Sequence, residues 1–128
     1  MMTTVRALFV SLAFVSTVTA AQPEDACGGS TYDESLCLSN TRKKTDSELN
    51  TAYQKAMKSA AHYGDKDIQN LKDAELKWIA YRDAACEAEY NLWGGGSGGP
   101  NSKVRCLIHL TRERAAHLQS GFYRLWQK

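Results

Sequence analysis

From Thr45 onward the chain repeats its apolar residues at helical spacing, and two interruptions cut that pattern into three segments. Leu49, Tyr53, Ala56 and Ala60 recur at intervals of three and four and mark one helical face, which stops near Gly64. Asp65 opens a second segment carrying Ile68, Leu71, Trp78, Ala85 and Trp93 on one face, closed by the run Gly94-Gly95-Gly96-Ser97-Gly98-Gly99-Pro100. A third segment from about Ser102 aligns Val104, Leu107, Thr111, Leu118, Phe122 and Leu125. No alternating strand pattern and no internal repeat intervenes. Helices joined by short connections run antiparallel, so the expected fold is all-α: a small antiparallel three-helix bundle. The beginning of the first helix is left open. Thr45-Asp46-Ser47-Glu48 reads either as a capping box that starts it or as a turn within a longer helix beginning near Asp33.

The N-terminus has the layout of an export signal: Arg6, an apolar run from Ala7 to about Val18, and small residues through Ala20 and Ala21. The run is about a dozen residues, short of the ~20 that span a bilayer, and no later stretch is longer. The expected product is a domain of residues 21–128, cleaved near Ala20 or Ala21 and released to the periplasm or the exterior. Cys27 follows Glu24-Asp25-Ala26, and acids there do not suit a lipid-attachment motif.

Four cysteines, Cys27, Cys37, Cys86 and Cys106, survive that cleavage, and an even count in an oxidising compartment reads as two disulfides. They include no C-x-x-C pair, which argues against zinc. Cys27 with Cys37 closes a short N-terminal loop, and Cys86 with Cys106 joins consecutive antiparallel helices across the glycine connection. That pairing is preferred. If the first helix runs unbroken from Asp33, Cys37 reaches the same end of the bundle as Cys106 and a cross-pairing comes within reach.

Of 16 Lys and Arg and 14 Asp and Glu, cleavage removes only Arg6, so the mature chain stays close to neutral. A nucleic-acid or membrane-surface binder needs a concentrated basic face, and neither partner is expected. The glycine run lacks the G-K-[ST] ending of a phosphate loop and follows a helix where that motif needs a strand. It reads as a flexible helix connection.

Several charges fall on apolar stripes. At about 100° per residue, Glu75, Arg82 and Glu89 share the face of Leu71 and Trp78, and Arg114 sits within the stripe of Leu107, Thr111 and Leu118. Antiparallel register about Gly64 and the glycine run sets Asp46, Arg82 and Arg114 in one layer. Charges inside a bundle must be paired, so Asp46, Glu75, Arg82 and Arg114 are expected to form a structural ionic network. The alternative is a small-anion pocket in which the two arginines clamp a carboxylate or phosphate. His109, Glu113 and His117 lie one turn apart on the opposite face and read as solvated side chains, so no metal is expected. No nucleophile, acid or base constellation emerges, an enzyme has the least support, and no cofactor is expected.

These residues carry a resemblance. Asp46-x-x-Leu49-Asn50-x-x-Tyr53, then Trp78-Ile79-x-Tyr81-Arg82-Asp83-x-x-Cys86, then Cys106 followed by Thr111-x-x-Arg114 and Leu118, resemble the pattern of the lysozyme-inhibitor LprI-like domain family, from about Cys27 to Leu118. The resemblance implies a secreted or periplasmic bacterial protein that inhibits a lysozyme-type cell-wall hydrolase by protein-protein contact. This sequence departs from the family's lipid-anchored members in lacking a lipobox. A contact of that kind needs a surface patch matched to a basic muramidase, for which Asp83, Glu87 and Glu89 near the glycine loop are candidates. The alternative to inhibition is an envelope interaction or small-anion-binding module.

Overall fold

The computed structural model describes residues 26–94 and 96–124, with side chains to Ser120. It contains three helices: α1 (Thr31–Ala60), α2 (Asp65–Leu92) and α3 (Gly99–Arg124). The expected all-α bundle with two disulfides is what forms, and the described residues include no strand. The leader expected at residues 1–20 and the side chains of Phe122 and Leu125 lie outside the described residues.

The start of α1 is decided in favour of the longer helix. Ser30 is the N-cap: its Oγ accepts from the Asp33 amide at 3.2 Å, while the Asp33 carboxylate accepts from the Ser30 amide at 3.3 Å. This reciprocal box satisfies two of the amides that a helix start leaves unpaired, and Asp33 and Glu34 in the first turn favour the helix dipole. Thr45 instead lies inside the helix, 1% exposed, with its hydroxyl donating back to the Thr41 carbonyl at 2.8 Å. A hydroxyl satisfied by its own helix can be buried at little cost.

The α1–α2 turn depends on Gly64, whose φ of 124° and ψ of 177° lie in a region open essentially only to glycine. Its carbonyl accepts from the amides of Asp67 and Ile68, so the backbone starts α2 without a capping side chain. At the second connection α3 begins at Gly99, a few residues before the expected Ser102. Pro100 suits a first helical turn because its missing N–H would have no partner there. Gly99 permits a close approach, since a Cβ at that position would sit 3.1 Å from the Tyr90 ring. Trp93 departs from the apolar stripe assigned to α2. It caps that helix and is 55% exposed, because the chain turns away before another helical turn can carry it inward.

α3 is the central element. It packs against both partners, whereas α1 and α2 meet much less. The cause is side-chain size: Ala52, Ala56 and Ala60 form a stripe of small residues along α1 that lets α3 approach with Ala115 and Leu118. Those residues, with Leu49 and Leu71, make the main core, and Tyr53, Met57, Ile68 and Trp78 pack around it. A second cluster of Cys27, Leu38 and Ile108, flanked by Cys37 and Val104, fills the opposite end. Between the two in chain order come Thr45 on α1 and Thr111 and Arg114 on α3, while Arg82 follows the core residues of α2.

Both disulfides brace the end that holds the second cluster. Cys27 pairs with Cys37 and Cys86 with Cys106, with Cα–Cα distances of 5.7 and 5.5 Å. The first ties the segment before α1 onto that helix, and the second ties α2 to α3 across their connection, so the cross-pairing is not used.

Candidate functional site

The ionic residues expected to form one layer separate into two groups. Arg114 Nε donates to Oε2 of Glu75 at 2.9 Å, and Nη2 forms an ion-pair contact with the same oxygen at 2.9 Å, with the two side chains only 11% and 10% exposed. Arg82 bonds Asp83 beside it through Nε at 2.9 Å and Nη2 at 2.8 Å, and its Nη1 reaches the buried Thr111 hydroxyl at 3.4 Å. Trp78 joins the groups, because the Arg82 and Arg114 guanidiniums lie 5.3 and 5.8 Å from its ring centre. Each arginine is thus matched to a carboxylate and rests against an aromatic face, an arrangement in which a cation can be withdrawn from water. Asp46 turns elsewhere, to Arg42 one turn earlier on α1 at 3.8 Å, with both side chains nearly half exposed. The helical register places it at the right level. The sparse α1–α2 packing keeps it out of the arginine layer.

Two features were not anticipated from sequence. One is a set of bonds at the braced end: Arg105 Nη2 donates to Glu34 at 2.7 Å and to the Cys27 carbonyl at 2.9 Å. Asn101 donates to Glu34 at 3.0 Å, and its carbonyl oxygen accepts from Ser35 at 2.9 Å. These bonds hold the Glu34 carboxyl below its ordinary range, with the Arg105 and Asn101 hydrogen bonds as the main causes. They join the N-termini of α1 and α3, which the disulfides leave unconnected. Glu34 follows the cap box, but no spacing rule links it to residues some seventy positions away.

Around this framework Tyr32 and Leu36 on α1 and Leu92 and Trp93 at the end of α2 stay exposed, Leu92 by 88%. The three acids expected nearby have local partners: Asp83 is bound to Arg82, Glu87 to Lys103, and Glu89 accepts from the Ser102 hydroxyl at 2.9 Å. The braced end therefore exposes these apolar side chains, while its acids are matched within the molecule.

The second feature is a groove of about 460 Å³ between α1 and α2, where the two helices stand apart. Leu49, Tyr53, Leu76 and Ile79 line its walls, and Asp46, Asn50, Lys72 and Glu75 supply polar groups. On the exposed flank of α3, His109 and Glu113 approach to 3.4 Å. Among the described residues no cluster of three or more His, Cys, Asp or Glu could hold a metal ion, and no helix is long and apolar enough to cross a membrane.

A family model described as lysozyme inhibitor LprI matches residues 24–118. The chain belongs to the LprI family. The match takes in both disulfides, the Trp78–Arg82–Arg114 cluster and the Glu34–Arg105 contact, so the features that shape this bundle lie within the family's domain. A Rhizobium meliloti (strain 1021) protein described as uncharacterized is 34% identical over 125 residues, covering 88% of this chain and 90% of its own length. No solved structure matches. The LprI family is named for inhibiting an enzyme, and its members are typically secreted or periplasmic.

Proposed function

We propose that this LprI-family chain is exported, processed near Ala20 or Ala21, and inhibits a lysozyme-type muramidase by protein-protein contact at the braced end of the bundle. The observation that carries this reading is the combination found there. Two disulfides and the Glu34–Arg105–Asn101 bonds fix the backbone around the exposed Tyr32, Leu36, Leu92 and Trp93. Large side chains on a pre-ordered frame lose little further freedom on binding, and aromatic anchors of this kind dominate interface energies. The acids Asp83, Glu87 and Glu89 contribute little attraction on this view, because each is already matched within the molecule.

The anion-module alternative is weakened by the same geometry. Arg82 and Arg114 each face a carboxylate, and an incoming anion would have to displace Asp83 or Glu75.

The exported, processed protein should slow cell-wall lysis by at least one muramidase type and be retained by that enzyme in a pull-down. Trp93→Ala and Leu92→Ala together should weaken inhibition by about tenfold or more, as expected when interface anchors are truncated. Undiminished lysis across muramidases of several types would refute the inhibitor reading. Inhibition unaffected by those substitutions would move the contact away from the braced end.

A further inference from the structure

The α1–α2 groove lies away from the braced end and meets the arginine layer at Glu75, whose carboxylate leaves one requirement unmet. Glu75 is 8% exposed, and both Arg114 contacts go to Oε2. Oε1 has no protein hydrogen bond among the described residues, although a withdrawn carboxylate oxygen without a donor is costly. Glu75 lines the groove together with Asp46, whose own contact to Arg42 is long and half exposed. The walls beside them are apolar, with Leu76 67% exposed. The volume of about 460 Å³ falls within the usual size of small-ligand sites.

We infer that the groove between α1 and α2 binds a small amphiphilic amine, whose ammonium head is received by Asp46 and Glu75 and whose apolar body lies on Leu49, Tyr53, Leu76 and Ile79. An ammonium carries three donors and no acceptor, which suits an unfilled carboxylate oxygen in a groove that a second carboxylate also lines. An anionic head would meet both acids. Lys72, the cation among the lining residues, is exposed on a flexible stem and can extend into solvent. Binding of this kind needs no displacement of Arg114, since the bond to Oε2 and the bond to the ligand use different oxygens.

The test uses the exported, processed protein at neutral pH, with 2-phenylethylamine as probe and 3-phenylpropionate as its anionic counterpart, followed by NMR titration and calorimetry. The amine should bind saturably, with shifts centred on Tyr53, Leu76 and Ile79 and about tenfold more tightly than the acid, the scale of one charge-assisted hydrogen bond. Asp46→Asn should weaken it about five- to tenfold while leaving the melting temperature nearly unchanged, as suits an exposed position. Asn50→Trp, which places a bulky ring at the groove from another exposed position, should abolish binding. The inference is overturned if the amine fails to saturate at about 10 mM, if acid and amine bind equally, if the shifts centre elsewhere, or if neither substitution alters affinity.

Discussion

Glu75 and Arg114 form the most withdrawn ion pair described in the molecule, and cutting it on one side should be far more damaging than removing it whole. In Glu75→Leu the Arg114 guanidinium, 11% exposed, loses its carboxylate and keeps only the Trp78 ring at 5.8 Å. In Arg114→Met the Glu75 carboxylate loses both contacts to Oε2 while staying about nine-tenths buried. Leaving one member of such a pair uncompensated costs about 3–5 kcal/mol. At roughly 4–8 °C per kcal/mol for a domain of this size, either single variant should melt some 12 °C or more below the parent. The double variant removes both desolvation costs together with the attraction and places apolar atoms beside Leu71 and Trp78. It should therefore recover most of the loss and end within about 1–2 kcal/mol of the parent. Chemical denaturation of the four proteins in a double-mutant cycle gives the coupling directly. Additive losses, with the double variant weaker than either single one, would refute this reasoning and show that the two side chains act by independent packing.

Two further outcomes follow from the braced end. Replacing Cys86 and Cys106 together by Ser should cost about 3 kcal/mol in denaturant unfolding, the chain-entropy scale for a closed loop of some 20 residues, and a parent insensitive to reductant would contradict it. Glu34 titrates below its ordinary range in the folded protein, so the folded state binds fewer protons than the unfolded chain and Glu34 stabilises the fold above the ordinary glutamate range. That contribution should fade as pH falls through the lower folded value. The melting-temperature gap between parent and Glu34→Gln should therefore narrow towards acid, and a gap constant from neutral pH to strongly acid pH would exclude the Arg105 and Asn101 bonds as its source.

The helices were legible in the sequence because their information is local. Spacings of three and four, the break at Gly64 and the glycine run fix three segments whatever packs on them. The disulfide pairing was only half legible. Proximity along the chain favours Cys27–Cys37 and Cys86–Cys106, but excluding a cross-pairing needs the position at which α1 starts. The cap that decides it, Ser30 with Asp33, lies before the apolar pattern on which the first helix was read.

The ionic residues divide along the same line. Glu75, Trp78 and Arg82 follow one another at helical intervals, so their common face is a property of α2 alone. Their pairing with Arg114 and Thr111 was reachable through register, since α3 truly neighbours α2. Asp46 was placed by the same counting, yet it bonds within α1. Register gives level along a bundle axis and says nothing about the gap between two helices. Here the gap is set by side-chain volume summed over three surfaces: the alanine stripe of α1 draws α3 inward, and α2 is left with little contact to α1.

The sequence by itself determined that this chain forms three helices with four cysteines spaced for two staples, because period, turn residues and cysteine spacing act over short distances. Only the tertiary structure decided that α3 would be central, that Glu34 and Arg105 would meet some seventy residues apart, and that a groove would open beside a half-satisfied Glu75. Those outcomes depend on which helix pair comes closest, and side chains from all three helices decide that together.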